Sequence, residues 1–144
     1  MKLILDLETN GFLDKENLVI HCIVCKDIET NEVYSYNPNT INDALELLNK
    51  AEVLIGHNIT GFDIKALEQV LKYKFKGKAF DTLLCSRLIW TNRLELDYKY
   101  KQMPPKLFGK HSLESWGYRL GLRKGDYQEH STFDEYNQDM LEYC

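Results

Sequence analysis

The 144-residue sequence predicts an α/β domain of three layers around a mixed sheet. Three observations carry that expectation. The chain opens on an aliphatic run, Leu3-Ile4-Leu5-Asp6-Leu7-Glu8-Thr9, broken by Asn10-Gly11, which reads as a core strand with carboxylates at its exit. Two further strand candidates follow at short spacing, as in an antiparallel meander. Beyond them, short apolar strands alternate with amphipathic helices.

Element by element, residues 18–26 make the second strand, turn formers fill 27–31, and residues 32–36 make the third. Asn37-Pro38-Asn39-Thr40 stops that strand and offers Asn39 or Thr40 as the N-cap of a helix with Ile41, Ala44, Leu45 and Leu48 on one face. Val53-Leu54-Ile55-Gly56, short and apolar, predicts a buried strand parallel to the first. Residues 57–61 form a loop, and a helix starting near Gly61 or Phe62 turns Ile64, Leu67, Val70 and Leu71 inward. A fifth strand at 79–81 leads into a helix through Trp90. Residues 94–110, polar and basic with Pro104-Pro105, read as an irregular excursion. Ser112 caps a further helix, on which Trp116 is expected in the core, and residues 133–143 make the last. With no internal repeat or low-complexity segment, residues 1–144 read as one domain.

Hydrophobic content of 44% suits a folded chain of this length and excludes a disordered one. No apolar run approaches a membrane span, and Asp6 interrupts the place where a signal peptide needs unbroken hydrophobics. A cytoplasmic location without membrane association is expected. Four scattered cysteines are too few for a disulfide framework. Cys22 and Cys25 have metal-pair spacing, but residues three apart on a strand point to opposite faces, so they are expected to be small core residues.

A net charge of −4 argues against a general polyanion binder, yet the charges are unevenly spread. Lys72, Lys74, Lys76 and Lys78 cluster, and Lys99, Lys101, Lys106, Lys110, Arg119, Arg123 and Lys124 make residues 99–124 basic. An acidic centre with basic flanks suits a metal-dependent enzyme acting on a phosphodiester backbone, although such runs are commonly solvated surface.

Alternation puts Asp6 and Glu8 on one face of the first strand. Two such charges repel, and a fold that keeps both ionised normally supplies divalent cations, of which Mg²⁺ suits hard oxygen ligands best. A hydrated strand end is the alternative. A second motif, His57-Asn58-x-x-x-Phe62-Asp63, places Asp63 in the first turn of a helix following a core strand, where the helix N-terminus favours an ionised carboxylate. In an open α/β sheet this region lies beside the carboxyl ends of the strands, near the exit of the first. Asp63 can therefore join Asp6 and Glu8, unless it is only a favourable first-turn acid.

Together, Leu5-Asp6-Leu7-Glu8-Thr9 and Gly56-His57-Asn58-Ile59-Thr60-Gly61-Phe62-Asp63 resemble the first two motifs of the DEDD-type 3′→5′ exonucleases, a family of ribonuclease-H-like fold. The resemblance covers nearly the whole chain. Residues 80–88 look like the segment that follows the second motif in proofreading domains of family A DNA polymerases. Residues 109–121 are similar, more specifically, to the polymerases of short-tailed bacteriophages.

The resemblance implies two-metal phosphodiester hydrolysis with two divalent cations, Mg²⁺ or Mn²⁺, lying roughly 3.5–4 Å apart. Asp6 bridges both in this scheme, Glu8 holds the ion carrying the nucleophilic water, and Asp63 holds the second. In the tyrosine branch of the family a third motif, Tyr-x-x-x-Asp, supplies a phenol that orients the water and a fourth acid. Tyr143 fits the phenol, but the sequence ends at Cys144, and Asp139 lies before the tyrosine instead of after it. The expectation is a truncated piece of a polymerase, a split product completed by another chain, or a domain without full activity.

Among substrate contacts, the resemblance implies Asn58 and Phe62 at the terminal nucleotide, with Thr9 and Leu13 near its base and sugar, and Lys106, Lys110 and His111 on backbone phosphates. The expected partners are a single-stranded DNA 3′ end and a polymerase domain in the same or another chain. Two other functions stay open, an RNA-trimming exonuclease of the same superfamily and a catalytically impaired nucleic-acid-binding module.

Overall fold

The computed structural model describes residues 1–122 and 133–144. Five strands, β1 (Lys2–Thr9), β2 (Ile20–Asp27), β3 (Val33–Tyr36), β4 (Val53–Gly56) and β5 (Lys78–Asp81), form one sheet in the order β3-β2-β1-β4-β5. β2 pairs antiparallel with both β1 and β3, whereas β4 pairs parallel with β1 and β5. The mixed five-stranded α/β architecture expected from the sequence is thus borne out. The described helices are α1 (Ala44–Lys50), α2 (Asp63–Leu71), α3 (Thr82–Ile89), α4 (Arg93–Asp97), α5 (Leu113–Leu120) and α6 (Gln138–Tyr143). None of them is long and apolar enough to cross a membrane.

Alternation along β1 divides the molecule. Leu3, Leu5 and Leu7 are buried in one cluster with Ile23 and Cys25 of β2, Ala44, Leu47 and Leu48 of α1, and Ala66 and Leu67 of α2. Truncating a leucine so enclosed to alanine costs about 2–5 kcal/mol. Asp6 and Glu8 take the opposite face, opposite Val24 and Cys22 in the register. On that face the Cys22 thiol meets the Met140 carbonyl at 4.0 Å, so α6 lies over β2 there. The two cysteines face opposite ways as expected, and burial pushes the Cys25 thiol up to about 12.

At Glu8 and Thr9 the β1–β2 register shifts, because Thr9 pairs with Ile20 and skips His21. Such a bulge re-aims side chains at a strand end. The His21 ring is held by the Phe133 carbonyl at 3.0 Å.

Three expectations need correction. Neither Asn39 nor Thr40 caps α1, because a 3-10 turn at Ile41–Asp43 intervenes and the Thr40 hydroxyl accepts the Asn37 amide instead. The stretch 94–110 is not irregular throughout: α4 and a 3-10 turn at Pro105–Leu107 order it, with Met103 and Leu107 buried. The last helix begins only at Gln138, where the extended Asn137 accepts the Met140 amide at 2.8 Å. Arg123 and Lys124 of the basic stretch lie outside the described residues.

Candidate active site

Asp6 and Glu8 emerge half-buried where β1 ends, beside the end of β4. Glycine at 56 eases that approach, since a Cβ there would stand only 3.0 Å from the Leu5 carbonyl. From Gly56 the chain crosses to α2 in a tight loop. Asn58 takes the left-handed conformation (φ 64°), and its carbonyl accepts the Gly61 and Phe62 amides, both at 2.9 Å. The loop delivers Asp63, buried, as the first residue of α2.

The Asp63 carboxyl is raised to about 7, first by burial and then by the charge of Asp6, with Glu8 and Asp81 adding to it. A backbone hydrogen bond pulls the other way and is outweighed. The backbone at the start of α2 thus favours the ionised acid, in the sense the sequence implied, but burial among like charges counts for more. The same coupling brings Asp63 within electrostatic reach of both strand acids. Three carboxylates with hard oxygen donors, one of them buried and raised by the charges of the other two, fit divalent cations such as Mg²⁺ or Mn²⁺.

Cys144 had no metal-site signal in the sequence, yet its sulfur and carboxylate oxygens of Asp6 and Glu8 all lie within 4.8 Å of one another. The end of α6 thus reaches the acids. Tyr143, the residue before, is half-buried with its ring edge-on to Phe133 at 6.5 Å between centroids.

The remaining expected residues fall in two places. Thr9 is buried and donates to the Gly11 carbonyl at 2.7 Å, Leu13 and Phe62 are half-buried against the core, and Asn58 is exposed on the loop. Lys106 and Lys110 are exposed on the connection from α4 to α5. His111 shares a 2.6 Å hydrogen bond with Ser86 of α3, which also accepts the Trp116 indole at 2.8 Å. Burial lowers the His111 pKa, with Arg119, Arg87 and Arg93 contributing. Trp116, expected in the core, is half-buried and packs on Trp90 with ring centroids 4.8 Å apart.

Asp81, which the sequence did not single out, proves to be the polar hub of the loop. It is buried at the end of β5 and accepts hydrogen bonds from Asn58, Thr60, Leu83 and Leu84. The available signal was an acid placed directly between a strand and a helix, where N-caps stand.

Residues 3–139 match the RNase_H_2 model of the RNase_H superfamily. The chain is 35% identical over 141 residues to the DNA-directed DNA polymerase of Enterobacteria phage T3, covering 88% of this chain and 20% of that one. It is 36% identical over 139 residues to the DNA-directed DNA polymerase of Escherichia phage T7, covering 86% and 20%. It therefore spans about a fifth of the length of these curated relatives. Among solved structures, the zinc-ion-bound E. coli ExoI–ssDNA complex shares its fold, with a TM-score of 0.57 at 14% identity over 93% of this chain and 36% of that one. With a family match over nearly its whole length and a mixed five-stranded sheet presenting acids at the exit of its central strand, the chain belongs to the RNase_H superfamily.

Proposed function

We propose that residues 1–144 form a 3′→5′ exonuclease domain that hydrolyses phosphodiesters at single-stranded DNA 3′ ends, the proofreading part of a phage-type DNA polymerase acting in the host bacterial cytoplasm. The observation that carries this is geometric: Asp6 and Glu8 emerge from one face at the exit of β1, and the loop after β4 delivers the buried Asp63 to the same end of the sheet. Such a cluster is costly without cations and suited to chemistry with them. The DNA polymerases of phages T3 and T7 support the DNA substrate and the polymerase partner.

In this scheme Asp6, Glu8 and Asp63 would hold two divalent cations, Mg²⁺ or Mn²⁺. Such cations would supply Lewis acidity for activating a water and stabilising charge on the leaving 3′ oxygen. The chain's own groups do the rest. The Tyr143 phenol orients the attacking water. Asn58, Phe62, Thr9 and Leu13 seat the terminal nucleotide, whose base any aromatic face accepts without reading sequence. Lys106, Lys110 and His111 face the backbone phosphates, the two exposed lysines as point charges.

The test is digestion of single-stranded DNA labelled at its 5′ end, with Mg²⁺ or Mn²⁺, by this chain and by Asp6→Ala. A ladder shortening from the 3′ end with the first protein alone is the expected result. Equal trimming of RNA would redirect the assignment to an RNA-processing relative. DNA binding that survives Asp6→Ala, with no metal-dependent product from either protein, would replace the nuclease with a binding module.

A further inference from the structure

The Asp81 carboxylate receives five hydrogen bonds from two separate segments. Oδ1 accepts the amides of Asn58 at 3.0 Å, Leu83 at 3.0 Å and Leu84 at 3.4 Å. Oδ2 accepts the Thr60 amide at 3.2 Å and the Thr60 hydroxyl at 2.5 Å. One side chain therefore caps α3 and clamps the loop that leads to α2. The clamp falls where the loop needs support, because a left-handed asparagine carries a local conformational cost. The Asn58 side chain folds back over Gly61, in the space that a Cβ would take there. Asp63 follows Thr60 by three residues, and nothing flexible separates them: the Phe62 and Ile64 amides are bonded to the carbonyls of Asn58 and Ile59.

We propose that Asp81 is a positioning residue of the candidate active site: by fixing Asn58 and Thr60 it sets where Asp63 stands relative to Asp6 and Glu8. It is not a further cation ligand, since its two oxygens already serve five donors. Burial alone would raise its carboxyl, but the hydrogen bonds from Thr60, Asn58 and Leu84 outweigh burial and hold it below the usual range. The functional half of this inference rests on the cation-dependent nuclease proposed above. The clamp itself does not.

The test compares the wild-type chain with Asp81→Asn, Thr60→Val and Thr60→Ser by amide hydrogen exchange and by calorimetric titration with Mn²⁺. In Asp81→Asn an NH₂ group faces amides that are themselves donors, so the Asn58 and Thr60 amides should exchange at least tenfold faster, roughly, while the Leu54 amide of β4 stays protected. Mn²⁺ affinity should fall on the order of tenfold, as when a supporting hydrogen bond behind a metal ligand is lost. Thr60→Val should shift both readouts in the same direction, and Thr60→Ser should restore them. If Asp81→Asn does not fold, Thr60→Val decides the matter. Unchanged exchange at Asn58 and Thr60 overturns the inference, and lost Mn²⁺ affinity with unchanged exchange would make Asp81 a ligand instead. Should the wild-type chain take up no Mn²⁺ at all, the nuclease assignment falls, and the exchange rates alone decide whether Asp81 fixes the loop.

Discussion

Arg119 grips Asp97 through two hydrogen bonds, Nε to Oδ1 at 2.9 Å and Nη2 to Oδ2 at 2.6 Å. Asp97 is fully buried and also accepts from Arg93 Nε and the Gly109 amide, each at 2.9 Å. The guanidiniums of Arg119 and Arg93 lie 4.8 and 5.4 Å from the Trp116 ring centroid. A segment that looks merely basic in sequence is thus stapled into the fold by one carboxylate.

Removing that carboxylate should be severe. Asp97→Ala leaves two buried guanidiniums without their partner, a type of loss that costs about 3–5 kcal/mol. Urea unfolding at neutral pH reads it directly, and a loss under about 1 kcal/mol would mean that the cluster is effectively solvated. Acid should act through the same group. Burial alone would raise the Asp97 carboxyl, but hydrogen bonds from Arg119, Gly109 and Arg93 bring it down to about 2. A depressed carboxyl stabilises the fold above its ordinary value near 4, and that contribution disappears as pH falls from about 4 toward 2. The wild-type chain should lose stability in this window, and Asp97→Asn should lose less of what remains to it.

The same cluster shows why part of the molecule was hidden in its sequence. Periodicity treats Arg93 and Asp97 as surface residues, whereas the pair is buried side by side, one helical turn apart, so α4 left no apolar stripe to find. The strands were legible because Leu3, Leu5 and Leu7 alternate with Ile4, Asp6 and Glu8, and alternation alone fixes which acids share a face. Asp63 was legible in position but not in charge state, since burial and neighbouring acids depend on the distant chain. The bulge at Glu8 and the five donors around Asp81 likewise arise only when separate segments meet.

Asp63 makes the metal-free protein sensitive to pH in the opposite sense to Asp97. Its carboxyl is raised from 3.8 to about 7, so the folded state holds a proton that the unfolded state gives up. Stability should be complete below about pH 4 as far as this group is concerned and decline as pH rises toward 7, by an amount on the order of a few kcal/mol. Melting curves in chelator across that range should show the decline, flattened in Asp63→Asn, and Mn²⁺ should restore stability at pH 7 to 8. A wild-type curve that is flat without metal would remove the electrostatic argument for the site.

Asp6→Ala should separate chemistry from folding. Relieving repulsion beside Asp63 leaves the β1 core face, Leu3 to Leu7, untouched. In chelator the variant should melt at or above the wild-type temperature, and with Mn²⁺ it should show less metal-induced stabilisation. Gross unfolding in chelator would show that Asp6 holds the fold together and that its cleavage phenotype has no mechanistic meaning.

The end of α6 offers the last prediction. Cys144 already places its sulfur beside Asp6 and Glu8, and residues three and four apart on a helix share a face. Extending the chain by three residues that end in Asp would therefore put a carboxylate at position 147 on the face of Tyr143 and Cys144, one turn further on. A hard oxygen ligand added there should tighten Mn²⁺ binding on the order of tenfold or more and raise cleavage of single-stranded DNA in parallel. The control extension ending in Asn should do neither, because an amide brings no charge to balance the cations. If the Asp and Asn extensions behave alike, the next turn of α6 points away from Asp6 and Glu8, and a fourth carboxylate from that helix has no part in the proposed site.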